Sequence, residues 1–137
     1  MKSLVVDAGV LIEIAYATKL GEAAARVIEE SPSYTTPYAI TELFYVLCRR
    51  FSSEFAEEKV TLLLESNYVK VEHSSELCLE AGKIKCERRI SLADCYIIAL
   101  AKMLAGKAMF ARREREIQKE SDRKPFDVEI IYAEDLI

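Results

Sequence analysis

The sequence has few of the residues that several common kinds of site require. It has one histidine, His73, and no tryptophan. A single histidine excludes Ser-His-Asp triads and multi-histidine metal sites. The four cysteines are separated by 30, 8 and 9 residues, which matches no zinc motif; they are Cys48, Cys78, Cys86 and Cys95. Each lies in an apolar helical pattern, so we expect buried free thiols and a reducing compartment.

Glycine and proline, which interrupt helices and strands, are also few, and so are long apolar runs. The chain has four glycines and three prolines in 137 residues, and it lacks the roughly 18 to 20 consecutive apolar residues that a membrane span requires. With 51% hydrophobic and 31% charged residues, the composition is that of a packed globular protein. We therefore expect one domain over residues 1–137, soluble and cytoplasmic, with no membrane association and no export signal.

Short apolar segments alternate with helical patterns along the chain. Strands are predicted at 3–6, 34–36, 68–72, 108–111 and 128–132, and helices at 20–30, 37–51, 54–66, 75–88, 92–104 and 112–120. Apolar strands that alternate with helices indicate a mostly parallel sheet with helices on both faces, a three-layer α/β/α fold. In such folds the site lies at the carboxyl edge of the sheet.

Acidic residues occur where this topology brings chain segments together. Asp7 ends the first strand, and Glu114 follows the fourth. Glu42 and Asp94 lie in the first two turns of their helices, whose amino ends adjoin the same sheet edge. Four carboxylates in one cleft repel each other unless a cation neutralises them. An all-oxygen set suits Mg²⁺, with Mn²⁺ as a substitute.

Each acidic residue alone also fits a structural role. Asp7 is suited to capping a helix, and Asp94 has capping-box spacing from Ser91, the predicted cap of its helix. Glu42 lies off the apolar stripe of its helix and could face solvent. Glu114 lies in a charged run that could be a solvated helix. These alternatives remain open from the sequence.

Charge is unevenly distributed. The net charge is −4, yet residues 83–124 contain 12 Lys and Arg against 6 Asp and Glu. A locally basic segment can bind a polyanion in an acidic protein. The alternative is a solvated helix with pairs such as Arg112 and Glu116.

The segments that contain the four acidic residues resemble those of the PIN-domain nucleases, in particular VapC-type toxins of prokaryotic toxin–antitoxin pairs. The matching segments are 4–12 (LVVDAGVLI), 39–43 (AITEL), 91–101 (SLADCYIIALA) and, more weakly, 112–117 (RREREI). Two positions depart from the family pattern. Glu114 stands where an Asp is usual, and Gly9 stands where a polar residue often supports the metal site.

The resemblance implies an Mg²⁺-dependent endoribonuclease. Asp7, Glu42, Asp94 and Glu114 would be the metal-binding and catalytic residues, and the products would carry a 5′-phosphate and a 3′-hydroxyl. RNA phosphates would contact a basic set formed by Arg112, Arg113, Arg115, Lys83, Lys85, Arg88 and Arg89. A small antitoxin and a homodimer, with an interface within residues 38–66, are the partners implied.

Other functions stay open. A non-catalytic RNA- or protein-binding module of the same fold is one alternative, and an RNA-processing nuclease that is not a toxin is another. A haloacid-dehalogenase-like phosphatase needs a second Asp where Gly9 stands, and a receiver domain needs an early acidic pair that Asp7 lacks. Local chemistry disfavours both of these last two.

Overall fold

Five strands and seven helices alternate in the structure, a computed structural model that describes residues 2–137. The strands are β1 (Leu4–Val6), β2 (Ser33–Thr35), β3 (Lys70–Val71), β4 (Lys107–Phe110) and β5 (Glu129–Tyr132). The helices are α1 (Ala8–Ala15), α2 (Lys19–Glu29), α3 (Pro37–Arg50), α4 (Ser53–Ser66), α5 (Ser75–Glu87), α6 (Leu92–Met103) and α7 (Arg115–Arg123), followed by a 3₁₀ turn (Ala133–Leu136).

The sheet is parallel throughout, with strand order β3-β2-β1-β4-β5. The first strand is central: Val5 pairs with Tyr34 of β2 on one side and with Ala108 of β4 on the other. This position explains why β1 is an uninterrupted apolar run, since parallel strands are covered on both faces. The predicted α/β/α fold with a mostly parallel sheet is confirmed.

Two hydrophobic cores lie on opposite faces of the sheet. Val5 belongs to one, with Phe110 and Leu100 of α6, while Val6 belongs to the other, with Leu47 of α3. This alternation follows the two-residue period of a strand. The α6 core explains why residues 92–104 are apolar nearly all round, because α6 packs between the sheet and α5. That packing fixes the amino end of α6 at the carboxyl edge of the sheet.

Two sequence-based expectations need correction. The last long helix begins at Arg115, not at Arg112, because the backbone N–H of Arg113 donates to Glu134 Oε2 (2.6 Å) and holds the preceding turn open. The thiols also differ from expectation: Cys95 is buried and Cys48 half-buried, whereas the two cysteines of α5 are exposed. Helix α5 buries only a narrow stripe, and its two cysteines lie off that stripe.

Within residues 2–137, no helix combines the length and apolar character needed to cross a bilayer.

Candidate active site

A cleft of about 540 Å³ opens at the carboxyl edge of the sheet, beside the ends of β1 and β4. All four acidic residues predicted from the sequence line it. They come from four separate parts of the chain, which are the end of β1, the second turn of α3, the first turn of α6 and the turn before α7. The topology therefore brings these side chains to one cleft, as the sequence predicted.

Asp7 joins β1 to α1. Its backbone N–H donates to the Met109 carbonyl (3.1 Å), and its Oδ1 accepts from the Val10 N–H (3.0 Å) as the cap of α1. The side chain is buried, with 9% of the residue exposed. The structural role proposed as an alternative is thus present. It holds the carboxylate in place at the floor of the cleft.

Asp94 is the third residue of α6. Its backbone N–H donates to Ser91 Oγ (3.1 Å), which confirms Ser91 as the cap of this helix. The cap bond uses the main chain of Asp94 and leaves its carboxylate in the cleft, where the residue is buried. An acidic group in the first turn is also favoured by the helix dipole.

Glu114 completes a group of three carboxylates. It stands at the cap position of α7 but makes no side-chain cap hydrogen bond. One carboxylate oxygen from each of Asp7, Asp94 and Glu114 lies within 4.8 Å of the others. We call these three residues the acidic cluster.

Glu42 lies in the same cleft but outside the acidic cluster. It is half-buried and lines the open cleft, so the alternative of a solvent-facing Glu stays open. Burial raises the pKa of this carboxyl, and the negative charge of Asp94 raises it further. The charge of Glu42 therefore interacts with that of Asp94, although Glu42 is not a member of the cluster.

Ionisation of the buried carboxyls of Asp7 and Glu114 is energetically unfavourable. Burial raises the pKa of Asp7 to about 7, opposed by the Val10 N–H and reinforced by Asp94 and Glu42. Burial also raises the pKa of Glu114 to about 8, with a further contribution from its hydrogen bond with Asp94. Among residues 2–137, no Lys or Arg forms an ion pair with the cluster. Buried carboxylates without a cation are a recognised mark of a functional site.

The donor set fits a small divalent cation. All donors are carboxylate oxygens, which are hard ligands. Oxygens on opposite sides of Mg²⁺ lie about 4 Å apart, so small movements would bring the 4.8 Å cluster into coordination range. A bound cation would also offset the repulsion that, after burial, contributes to the raised pKa of Asp7 and Glu114.

Gly9 lies next to the cluster, in the first turn of α1. A Cβ atom at this position would lie 3.4 Å from both carboxylate oxygens of Asp7 and 3.3 Å from the Cβ of Ala111. The site therefore has no polar side chain here, and a larger residue would need Ala111 to shift by a few tenths of an ångström.

Most of the predicted basic set is engaged within the protein. Arg112 pairs with Glu13 (2.5 Å), and Arg113 makes a bidentate pair with Asp135 (2.7 and 2.8 Å). Lys83 pairs with Glu80 (3.2 Å). The ammonium of Lys85 donates to the Ile90 carbonyl (2.7 Å). None of these cations is directed at the cleft.

The prediction that Arg88 contacts RNA needs correction. Only 9% of it is exposed, and its guanidinium donates to the carbonyls of Glu120, Lys124 and Pro125. It also stacks on Phe126 at 4.1 Å from the ring centroid. A side chain held this way anchors the end of α7 and does not reach a ligand. Arg88 is therefore not one of the proposed RNA contacts.

Arg115 and Arg89 remain exposed, and within the described part of the chain their side chains form no ion pair. Arg115 lines the acidic cleft, as does Glu116. The sequence did not indicate Glu116 as a residue of the site. Lys119, an exposed cation of α7, was also absent from the predicted basic set. It lies one helical turn after Arg115, and the four-residue spacing was the available signal.

Comparison with known proteins gives the family. The family model described as PIN domain matches residues 4–119. The chain belongs to the PIN domain family. A comparison with curated protein sequences finds no match.

Solved PIN-fold structures extend the likeness. VapBC-1 from nontypeable Haemophilus influenzae is 20% identical, with a TM-score of 0.68 over 96% of this chain and 98% of that one. VapC20 from Mycobacterium tuberculosis, a Sarcin-Ricin loop cleaving toxin, is 19% identical, with a TM-score of 0.62 over 77% and 86%. DNA-bound VapBC from Salmonella typhimurium is 14% identical, with a TM-score of 0.73 over 97% and 99%. At these identities the likeness is one of fold.

Proposed function

We propose that this PIN domain is a divalent-metal-dependent endoribonuclease and the toxin of a type II toxin–antitoxin pair. The observation that carries the proposal is the acidic cluster, which places three carboxylates from distant parts of the chain within 4.8 Å of one another. The family membership and the cleaving activity that the M. tuberculosis neighbour's name gives that protein support the same reading.

The proposed metal residues are Asp7, Asp94 and Glu114, with Glu42 beside them. Bound Mg²⁺ or Mn²⁺ would supply a Lewis acid that stabilises charge on the scissile phosphate and makes a water molecule more acidic. Asp7 is kept in place by its cap bond and Asp94 by the capped turn of α6, so both carboxylates are oriented before substrate binds. The products would carry a 5′-phosphate and a 3′-hydroxyl.

Glu42 and Arg115 have separate proposed roles in the same cleft. Glu42 lines the cleft beside the acidic cluster, where its carboxylate would accept a proton from an attacking water; burial and the charge of Asp94 raise its pKa and so favour that role. Arg115, on the α7 side, is placed to contact an RNA phosphate next to the scissile one.

A protein partner is part of the proposal. Within residues 2–137 no Lys or Arg pairs with the cluster, so an antitoxin that inserts an Arg or Lys would neutralise it as a bound metal ion would. Large apolar side chains also stand exposed on α3, α4 and the turn between them, and they support a homodimer with an interface within these helices; they are Tyr38, Tyr45, Phe51, Leu62 and Leu64. Gel filtration at micromolar concentration should give a dimer, and a strict monomer would remove this part of the proposal.

The test is cleavage of a panel of end-labelled single-stranded RNAs with Mg²⁺ or Mn²⁺, with and without EDTA. We expect wild-type protein to cut one or more of them only with metal, and Asp94→Asn to lose at least about 100-fold of the rate. Asp122→Asn is the matched control, because Asp122 is an exposed residue of α7 outside the cleft. It should cut at the wild-type rate.

The non-catalytic alternative gives a different result in the same assay. A folded, metal-binding protein that retains RNA and cuts none of the panel would favour the non-catalytic module, for which Gly9 is the supporting feature. Metal-independent cutting, or equal cutting by Asp94→Asn, would overturn the acidic cluster as the catalytic site.

A further inference from the structure

Helix α7 connects the acidic cleft to a second cleft. Arg115, in its first turn, lines the acidic cleft. Lys119 and Arg123, one and two turns later, line a neighbouring cleft of about 450 Å³ whose far wall includes Glu87 and Arg89. A helix rises about 6 Å over the four residues from Arg115 to Lys119, so the two clefts are separated by only about one turn of α7.

Three cations along this path differ from Arg88, Arg112 and Arg113 in having no partner within the described part of the chain. Arg115, Lys119 and Arg89 are exposed, and across residues 2–137 none of their side chains forms an ion pair or a hydrogen bond to another residue. Arg112 and Arg113, which are closer in sequence to the fourth strand, are held by Glu13 and Asp135. Free cations can exchange their hydration for contacts to a phosphate at lower cost than paired ones.

The acidic residue in the floor of the second cleft is already neutralised. Glu120 is buried, accepts from Arg123 (2.8 Å) and lies 3.8 Å from Arg88. Its two cations more than cancel its charge, so Arg89 and Lys119 set the potential of this cleft together with exposed Glu87. The balance is positive, which suits an anionic chain.

We propose that the single-stranded RNA leaves the acidic cleft along α7 and that Lys119 and Arg89 bind phosphates in the second cleft. This inference rests on the proposed function for the chemistry at the acidic cleft and adds a binding track beyond it. Arg115 contacts the backbone near the scissile bond, Lys119 contacts it one turn farther on, and Arg89 closes the far side. A basic groove that follows the backbone is the way in which proteins bind single strands.

The experiment measures RNA binding without cleavage. Fluorescence anisotropy is recorded for an unstructured RNA of about twelve nucleotides with Asp94→Asn protein and Mg²⁺ over a range of salt concentrations. In that background, the double variant Arg89→Glu/Lys119→Glu should bind at least about 10-fold more weakly, and the slope of log Kd against log salt should fall by about 2.

The control is a charge-matched double variant, Arg26→Glu/Lys19→Glu, on exposed positions of α2. It changes the net charge equally and should weaken binding no more than about 2-fold. Thermal melting of both variants verifies that they fold.

The outcomes separate the two proposals. Equal weakening by the two double variants would overturn the track and leave the nuclease proposal standing. The expected loss of binding, together with no cutting in the cleavage assay, would support the track while the nuclease proposal fails. If the parent protein binds no RNA at any salt concentration, both are overturned.

Discussion

Two groups of buried charge lie in this domain, and they are built in opposite ways. Around Arg88 the charges are matched: Glu120 lies 3.8 Å away, and three main-chain carbonyls accept from the guanidinium. A hydrogen bond from Arg123 lowers the pKa of Glu120. In the acidic cluster, by contrast, burial and mutual repulsion raise the pKa of Asp7 and Glu114.

The contrast shows how to separate structural from functional charge in this fold. A buried charge that has its counter-charge and hydrogen bonds inside the protein stabilises the native state only while all partners remain. A buried group of like charges stores unfavourable energy until a ligand of opposite charge binds. The two regions therefore predict opposite responses to removing a single charge.

The largest effect should come from Arg88→Met. The substitution removes the donor to the carbonyls of Lys124 and Pro125, and it removes one of the cations that neutralise Glu120. We expect the Tm to fall by on the order of 10 °C, measured by circular dichroism at pH 7.

The neighbouring residue provides the control. Arg89 is exposed and makes no comparable contacts within residues 2–137, so Arg89→Met should move the Tm by about 1 °C or less. Similar shifts in Tm for both variants would show that Arg88 does not anchor the end of α7.

The opposite response is expected from Asp7→Asn. Asn retains an oxygen that can accept from the Val10 N–H, while the buried charge is removed. The pKa of Asp7 is raised from 3.8 to about 7, so the folded state binds more protons than the unfolded state between these pH values. The wild type therefore loses stability from this residue as pH rises through that window, on the order of 3 kcal/mol by pH 8.

Urea unfolding at pH 5 and pH 8 measures this effect without added metal. Asp7→Asn should be more stable than the wild type at pH 8, and the difference should be much smaller at pH 5. A variant that is less stable at both pH values would mean that the Asp7 carboxylate is satisfied in the native state and carries no stored repulsion.

The sequence predicts the acidic group better than the basic one for a physical reason. The positions of Asp7 and Asp94 follow from local signals, a buried strand that ends and a helix that begins, and parallel topology brings such ends together. Whether Arg88 or Arg89 points inward depends on Phe126 and on carbonyls more than 30 residues away. No periodicity within residues 83–89 contains that information.

The start of α7 shows the same limit. The charged run 112–120 has helical spacing, but Arg112 and Arg113 pair with Glu13 and Asp135, which lie at opposite ends of the chain. These tertiary contacts override the local preference for a helix. The fold class and the cleft were thus predictable, while the partners of individual cations were not.

The smallest effect is the pH dependence of stabilisation by metal. A cation binds the ionised cluster, so binding must displace the protons that the raised pKa values of Asp7 and Glu114 retain. The increase in Tm caused by 1 mM Mn²⁺ should therefore be larger at pH 8.5 than at pH 6, by an amount equivalent to about 1 kcal/mol. Asp94→Asn should reduce the increase at both pH values, because one donor of the cluster is lost. An equal increase at both pH values in the wild type, or one unchanged in Asp94→Asn, would place the bound Mn²⁺ outside the acidic cluster.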